Sequence, residues 1–444
     1  MKTLDHWKSR FSAIPSTIEC SEMRILTCRD HEPTVFVGPG QIGIKSSTTA
    51  EFKVFAQPPH GERAIEKIIL AYANPYEIVD QFRLFATDYE GTEWACGWTV
   101  PRLENRSAAG ALLSGWITSL AAHVTAPWVS TESGVELVFQ PGFQLPMESQ
   151  MLTVHSIGAE EIQRSWKMGK HTLKLLGSQI EFFLEPEEDA LWVIANTSND
   201  LPHPNLENWL SEPLRVLLGQ LIFPRLVARN FGDGSAHVWV RPSPRAFQNA
   251  SIASLIRSEI VPTPTRFWDL YAALLTLIAK GKNEQGLPNF ETNRITRFYE
   301  EIVQASQGSR WVLCMTLASV AEGLARALMT PDDRTSDFTE SEIQNLKDTI
   351  QSWQGSDELK ARMFSSIAYL GDKSVGKFMT ELGKRGVLES QHQIAWKTVR
   401  NKVMHGNLVS PWGTKEEDEH IIALGDLVHR LTRELIGANI QQKT

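Results

Sequence analysis

The spacing of hydrophobic residues changes along the chain, from a short alternating pattern to a helical one. Between about Met23 and Glu185, apolar and polar residues alternate in short runs, as they do from Ile180 to Glu185. Alternation of this kind is typical of strands with one buried face. The segments predicted to be strands are residues 52–56, 67–73, 79–87, 134–140, 173–185 and 236–241.

Turn-rich sequences separate these segments, namely GPGQ from Gly38, DYEG from Asp88 and GDGS from Gly232. Many short strands divided by such turns favour a β-sandwich or a related antiparallel fold. Residues 108–124 are compatible with a helix inserted into the sheet, and residues 205–221 are predicted to form a helix that packs on it.

The second half of the chain has helical periodicity. It follows a stretch that contains Pro242, Pro244, Pro262 and Pro264, which we interpret as a linker with a boundary near Val261. Helices are predicted over residues 267–280, 293–304, 311–329, 340–353, 374–385, 391–404 and 418–436. The sequence therefore predicts an α+β protein, with a β-rich region over residues 1–260 and an all-α bundle over residues 261–444.

The helix predicted over residues 391–404 ends in the strongest chemical signal of the chain. Arg400 and His405 are five residues apart, about 140° of helical rotation, so both side chains can face one groove. Asn401 lies four residues before His405 and is its neighbour on the helix surface. A guanidinium fits a phosphate and an imidazole can transfer protons near neutral pH, so the group could cut a phosphodiester. The alternative is structural, with Arg400 binding a carboxylate or the helix end and His405 capping the last turn.

The pattern R-N-x-x-x-H-G resembles the RxxxxH signature of HEPN domains, many of which are RNases. The resemblance covers roughly residues 262–436, and a β-rich front half joined to such a domain is similar to the ApeA-like group of prokaryotic antiviral (abortive infection) proteins. It implies a metal-independent endoribonuclease with Arg400, His405 and Asn401 as catalytic residues. It also implies a homodimer whose composite site contains the motif twice, and an N-terminal region that senses a viral protein or a small ligand.

Three further residues are candidates for this site. Glu322 lies off the apolar stripe of its predicted helix, and HEPN domains often carry a polar residue there, so it is a secondary candidate for positioning Arg400 or His405. The alternative is that Glu322 is exposed and forms an ion pair with Arg326, four residues further along the helix. Residues 358–405 contain nine basic and four acidic residues, hence a net charge of +5. Within this run we predict that Lys397 and Lys402 bind RNA, although a solvated helix face has the same composition.

Composition limits the other function classes. The whole chain carries a formal net charge of −8, so any RNA site must be local. The four cysteines are scattered and have no zinc-ligand spacing, and no Walker A loop, nucleophile elbow or cofactor fingerprint occurs. We therefore expect neither a metal nor a cofactor. The charged first residues and the absence of a long apolar run predict a cytoplasmic protein that does not enter membranes.

A different function class remains open from the sequence. The alternative interpretation is a non-catalytic sensor of a ligand or protein, whose helical region only dimerises. Tyr89, Trp94 and Trp98 lie around one predicted turn and would form an aromatic ligand surface, whereas the alternative is that they pack in the core beside a hairpin.

Overall fold

The computed structural model describes residues 3–11, 15–27, 34–46, 49–57, 62–73, 81–107, 110–140, 142–154, 164–185, 189–241, 251–258, 264–282, 285–288, 292–336, 338–371, 373–407, 409 and 413–441. Within them the chain forms an antiparallel β-region followed by an all-helical region, which confirms the predicted α+β class.

The strands join into one sheet in the order β10-β11-β12-β13-β9-β14-β15-β8-β5-β4-β1-β2-β3-β7-β6, with antiparallel neighbours. Their bounds are Ser16–Thr27 (β1), Thr34–Ser46 (β2), Thr49–Ala56 (β3), Phe82–Asp88 (β4), Glu93–Thr99 (β5), Arg102–Ser107 (β6), Gly110–Ile117 (β7), Leu120–Thr125 (β8), Ser133–Phe139 (β9), Glu148–Val154 (β10), Arg164–Leu175 (β11), Ser178–Glu185 (β12), Ala190–Asn196 (β13), Leu226–Phe231 (β14) and Ser235–Val240 (β15).

Helices α1 to α4 accompany the sheet, and α5 to α13 form the second region. Their bounds are Thr3–Phe11 (α1), Glu62–Ala73 (α2), Leu206–Trp209 (α3), Glu212–Leu218 (α4), Pro264–Ala279 (α5), Arg294–Ser306 (α6), Arg310–Leu328 (α7), Pro331–Arg334 (α8), Glu340–Ser352 (α9), Asp357–Ala368 (α10), Val375–Lys384 (α11), Ser390–Met404 (α12) and Lys415–Gln441 (α13).

The sheet curls around an apolar core of its own. Strands that are distant in the sheet order, such as β3 and β13, contribute buried side chains to this one core, together with Trp7 and Phe11 of α1. In β4 the residues Phe82, Leu84 and Ala86 are buried and those between them are half-buried. This period of two gives these strands one buried face.

A second apolar core joins the sheet to the helices. Val135, Leu137 and Phe139 of β9 lie in it with residues of α3 to α7 and α11 to α13, whereas Val138 of the same strand belongs to the first core. Strand β9 is therefore buried on both faces, which explains its almost uninterrupted apolar sequence. Among the described residues, the core of α5 to α7 and α11 to α13 is therefore continuous with the sheet.

Helix α7 lies at the centre of the helical region. By length and composition it is the one described helix that could cross a membrane. Of its apolar 18-residue window 39% is buried, and Leu317, Ala321 and Leu324 are fully buried in the core shared with α12 and α13.

The helical region matches the sequence prediction closely, and several strands do too. All seven predicted helices occur, with ends shifted by a few residues. Residues 52–56 and 134–139 lie in β3 and β9, and residues 236–240 lie in β15. The stretch 173–185 is two strands, β11 and β12, joined at Leu176 and Gly177. The proposed boundary near Val261 lies outside the described residues.

Four predictions in the front half were wrong. Residues 67–73 belong to helix α2, because Ala64, Ile68 and Ala71 recur at helical spacing and bury one face. The described part of 108–124 forms β7 and β8, not a helix. Residues 205–221 form two short helices instead of one. GPGQ is part of β2, where a Cβ at Gly38 would lie 2.0 Å from the Phe55 carbonyl oxygen of β3.

Candidate functional site

Helix α12 is held in the bundle by the apolar stripe seen in the sequence. Trp396, Val399 and Val403 are buried, and the Trp396 indole Nε1 donates a hydrogen bond of 3.2 Å to the carbonyl oxygen of Ala318 on α7. Gly406 has a φ of 73°, and the backbone N–H beyond it bonds back to the Lys402 carbonyl. A left-handed glycine with this bond ends the helix at the predicted place.

A buried polar network fixes the other end of α12. His392 is 0% exposed; its Nδ1 accepts from the Glu389 backbone N–H at 3.0 Å, so its Nε2 carries the hydrogen and donates to Asp426 Oδ2 at 2.9 Å. Arg430 Nε donates to the same oxygen at 2.9 Å. The hydrogen bond from His392, assisted by Arg430 and opposed by burial, lowers the pKa of Asp426 to about 2.

Glu322 connects α7 to the motif on α12. Its carboxylate accepts from Arg326 Nη2 at 2.8 Å and from Arg400 Nε at 3.1 Å. Burial raises the pKa of the Glu322 carboxyl, but these two hydrogen bonds outweigh it, so its pKa lies below the usual range. Both interpretations of Glu322 therefore apply at once: it pairs with Arg326 and it positions Arg400.

Arg400 lines a groove of about 670 Å³ between α6, α7 and α12. Its guanidinium carbon lies 5.4 Å from the Trp396 ring centroid, and its side chain is 37% exposed. Arg294 and Arg326 line the same groove, with Glu301 and Glu322 as the acidic residues. Three guanidinium groups against two carboxylates favour an anionic ligand.

The two remaining motif residues lie outside this groove. His405 and Asn401 are exposed, and neither lines the groove. Within the described part of the chain, the His405 ring has no hydrogen-bond partner, although its backbone N–H bonds to the Asn401 carbonyl at 3.3 Å. One chain thus brings Arg400 and Glu322 together and leaves the His405 imidazole exposed outside the groove.

The basic run around the motif is largely neutralised by ion pairs. Lys402 Nζ lies 2.6 Å from Glu417 Oε1, so this predicted RNA-binding residue is engaged, whereas Lys397 is exposed. Among the described residues, Arg362, Lys373, Arg385 and Arg400 of the run also lie within 4.0 Å of a carboxylate.

The aromatic residues predicted around the turn at Tyr89 are divided between the core and the surface. Trp94 is fully buried and its Nε1 donates to Asp88 Oδ2 at 3.1 Å, whereas Tyr89 and Trp98 are 73% and 44% exposed. These three do not form one aromatic surface. Among the described residues, no group of three or more His, Cys, Asp or Glu side chains could hold a metal ion.

Sequence reasoning found Arg400, Asn401, His405 and Glu322 but missed Arg294, Arg326 as a groove residue, and the network of His392, Asp426 and Arg430. The missed residues come together only when helices that are distant in the sequence pack, and no local spacing reveals them.

Comparisons with family models, with curated proteins and with solved structures found no match to this chain.

Proposed function

We propose that the protein is a cytoplasmic, metal-independent endoribonuclease of the antiviral-defence or toxin type, with Arg400 and His405 in a composite site. The observation that carries this proposal is the arrangement of Arg400, held by Glu322 in a basic groove, five residues before an exposed His405. The proposal also rests on the resemblance of the motif to HEPN domains.

The groups at this helix end suit cleavage by the 2′-hydroxyl of RNA. Arg400 uses Nε for Glu322, which leaves its two terminal nitrogens to hold the non-bridging oxygens of the scissile phosphate. The 2′-oxygen attacks phosphorus and loses its proton to a base, while the 5′-oxygen leaves and takes a proton from an acid. His405 transfers the proton in this scheme, with Asn401 orienting its ring. The products are a 2′,3′-cyclic phosphate and a 5′-hydroxyl.

A second copy of the chain would complete such a site. In one chain His405 is not part of the groove, and one imidazole cannot act as base and acid in the same step. Exposed apolar side chains support association through these helices: Met404 (65%) and Met315 (37%) line the groove, and Ile394 of α12 (56%) and Ile422 of α13 (68%) lie elsewhere on the helical region. Two copies would supply two imidazoles and two guanidinium groups.

The deciding experiment is RNA degradation by the purified protein in EDTA, with wild type beside His405→Ala. We expect wild type to cut and the variant to be inactive, with 2′,3′-cyclic phosphate ends on the products. Strict dependence on Mg²⁺, or products with 5′-phosphates from water attack, would contradict the assigned roles.

The second candidate function is a non-catalytic sensor whose helical region only dimerises. It is favoured by the position of His405 outside the groove and by the ion pair that occupies Arg400. Growth arrest on overexpression separates the two functions. Arrest that disappears in His405→Ala supports the nuclease, and arrest that persists supports the sensor.

A further inference from the structure

A cleft opens in the front half where two neighbouring strands separate. Strands β5 and β8 are paired through a single pair, Ala95 with Ala121, whereas β8 pairs with β15 through six. Beyond Ala95 and Ala121 the two strands diverge, and a cavity of about 1050 Å³ lies between residues 90–95 and 121–126. Trp7 and Trp128 contribute to its wall.

The floor of this cleft is made of small residues with aromatic groups on both sides. The registers place Trp239, Ala121, Ala95 and Phe85 in one row across β15, β8, β5 and β4. Trp239 and Phe85 are three strand spacings apart, about 14 Å. Because the two alanines between them have minimal side chains, the row forms a flat trough with an aromatic group at each side. Arg229 fixes the Trp239 ring, with its guanidinium carbon 4.9 Å from the ring centroid.

Polar groups line the rim of the trough. His123 and His237 face each other across β8 and β15, with ring centroids 4.9 Å apart. The opposite rim contains Glu93, whose Oε1 is 3.6 Å from Arg24 Nη2. His6 stacks on Trp128 at 4.2 Å between centroids. The rim therefore offers hydrogen-bond donors and acceptors around an apolar floor.

The imidazole of His237 is suited to hydrogen bonding in its neutral form. Burial lowers its pKa, and the nearby charges of His123 and Arg229 lower it further. A neutral imidazole has one donor and one acceptor nitrogen, which matches the mixed edge of a nitrogen heterocycle. None of these residues belongs to the groove near α12.

We propose that this cleft binds a ribonucleotide, with its base lying flat on Ala95 and Ala121 and its polar edge on His123 and His237. Planar heterocycles stack on aromatic side chains, which Trp239 and Phe85 supply at the two sides of the trough, and are read by hydrogen bonds at their edges. The cavity is large enough for a nucleotide, since ligand sites are typically about 300–1000 Å³. The proposal does not rest on the nuclease function, because the two sites share no residue.

Calorimetric titration of the full-length protein with adenosine, guanosine, cytidine and uridine 5′-monophosphates tests the proposal. We expect one-site binding of at least one of them with a Kd below about 1 mM. Ala121→Leu fills the trough and should weaken binding at least about tenfold, equivalent to about 1.4 kcal/mol. His123→Ala, at an exposed position, should also weaken binding, and it serves as the second variant if Ala121→Leu does not fold.

Trp116→Ala is the matched control, because Trp116 is a 60% exposed aromatic of β7 that does not line the cleft. It should bind like wild type. Ribose 5-phosphate should not bind, since it lacks the base. The proposal is overturned if no mononucleotide binds, if ribose 5-phosphate binds equally well, or if folded Ala121→Leu and His123→Ala bind like wild type. Loss of binding in Arg400→Ala would also overturn it, because the site would then lie in the other groove.

Discussion

Arg400 contacts both an acidic partner and an aromatic ring, and these two contacts determine what a substitution should do. Its Nε is bound to Glu322 and its guanidinium lies over Trp396, so the terminal nitrogens have a fixed direction. We expect Arg400→Lys to lose RNA cleavage almost as severely as Arg400→Ala, on the order of 10²-fold or more in kcat/KM. The reason is that an ammonium cannot reproduce the planar fork.

The measurement is the initial rate of cleavage of a labelled RNA, with Arg362→Lys as control. Arg362 is an exposed, ion-paired arginine of α10 outside the groove, and its replacement should leave the rate unchanged. A rate in Arg400→Lys close to that of wild type would show that a simple positive charge is enough.

His405 is exposed at the end of α12 and contributes little to the packing. We therefore expect His405→Ala to abolish cleavage while the free energy of unfolding changes by less than about 0.5 kcal/mol. Asn401→Ala should be milder, because an amide can orient the imidazole but cannot carry its proton. Cleavage assays and urea unfolding measure the two effects.

His420→Ala, a half-exposed histidine on α13, is the control for His405→Ala and should retain activity. A His405→Ala variant that is both inactive and strongly destabilised would indicate a structural role for this residue.

The motif residues could be found from the sequence because they lie within one helical turn and a half of each other. Glu322 was found only as a candidate, since its distance from Arg400 in the chain hides their contact. The ion pair of Lys402 was not predicted, because its partner Glu417 lies beyond the helix end. Residue types reveal the available chemistry, whereas the pairing of charges depends on how helices pack.

At the scale of elements, α12 is fixed at its N-terminal end by His392 and Asp426. Asp426→Ala removes the acceptor of a buried imidazole N–H and of Arg430, so we expect a loss of about 1–3 kcal/mol in unfolding free energy. The folded-state pKa of Asp426 is lowered to about 2 from 3.8. Its stabilising effect is therefore complete above the unfolded pKa and is lost as pH falls through the folded pKa.

Urea unfolding of wild type and Asp426→Ala between pH 7 and pH 2 measures this effect. The difference between the two proteins should be constant above about pH 5 and should shrink toward pH 2. Glu419→Ala is the control on the same helix. Glu419 is 65% exposed, and its ion pair with Lys415 is long, at 3.9 Å, so its loss should matter little. A difference that grows as the pH falls would contradict the assigned direction.

The predictions of helices, strands and turns failed where the local sequence pattern is compatible with two kinds of secondary structure. Residues 67–73 are apolar enough for a strand, and only the spacing of Ala64, Ile68 and Ala71 against the sheet identifies a helix. GPGQ resembles a turn, but its glycines allow β2 and β3 to approach closely. Helix α1 was missed because Glu136, far along the chain, accepts the backbone N–H groups of Thr3 and Leu4.

At the scale of the whole molecule, the helical region depends on the sheet. Phe182 of β12 contacts Trp268 of α5, with ring centroids 4.8 Å apart, and the Tyr271 hydroxyl donates to the Leu210 carbonyl at 2.8 Å. Glu212 of α4 accepts from the Asn293 backbone N–H at 2.9 Å, at the start of α6. These contacts cross the boundary predicted near Val261.

We therefore expect the fragment of residues 261–444 to aggregate or to unfold, although the boundary predicted near Val261 implies an independent helical domain. Its helices would expose the apolar faces that pack on β9, β12 and β13. Size-exclusion chromatography and circular dichroism of the fragment, beside the full-length protein, measure this. A monodisperse helical fragment with cooperative unfolding would show that the shared core is dispensable.

The assembly of two copies is the remaining prediction for the whole molecule. Ile422 is a 68% exposed residue of α13 that does not line the groove, so replacing it affects association without changing the groove itself. If the face around α12 and α13 forms the dimer, Ile422→Glu should place a charge in an apolar interface and shift the protein toward monomer. RNA cleavage should fall with the dimer fraction and recover at higher protein concentration.

The control is Ile69→Glu, the same substitution at a 62% exposed position of α2 in the β-region, which should remain dimeric and active. Light scattering from micromolar solutions gives the mass, and a wild-type protein that is strictly monomeric while cleaving RNA would exclude the composite site.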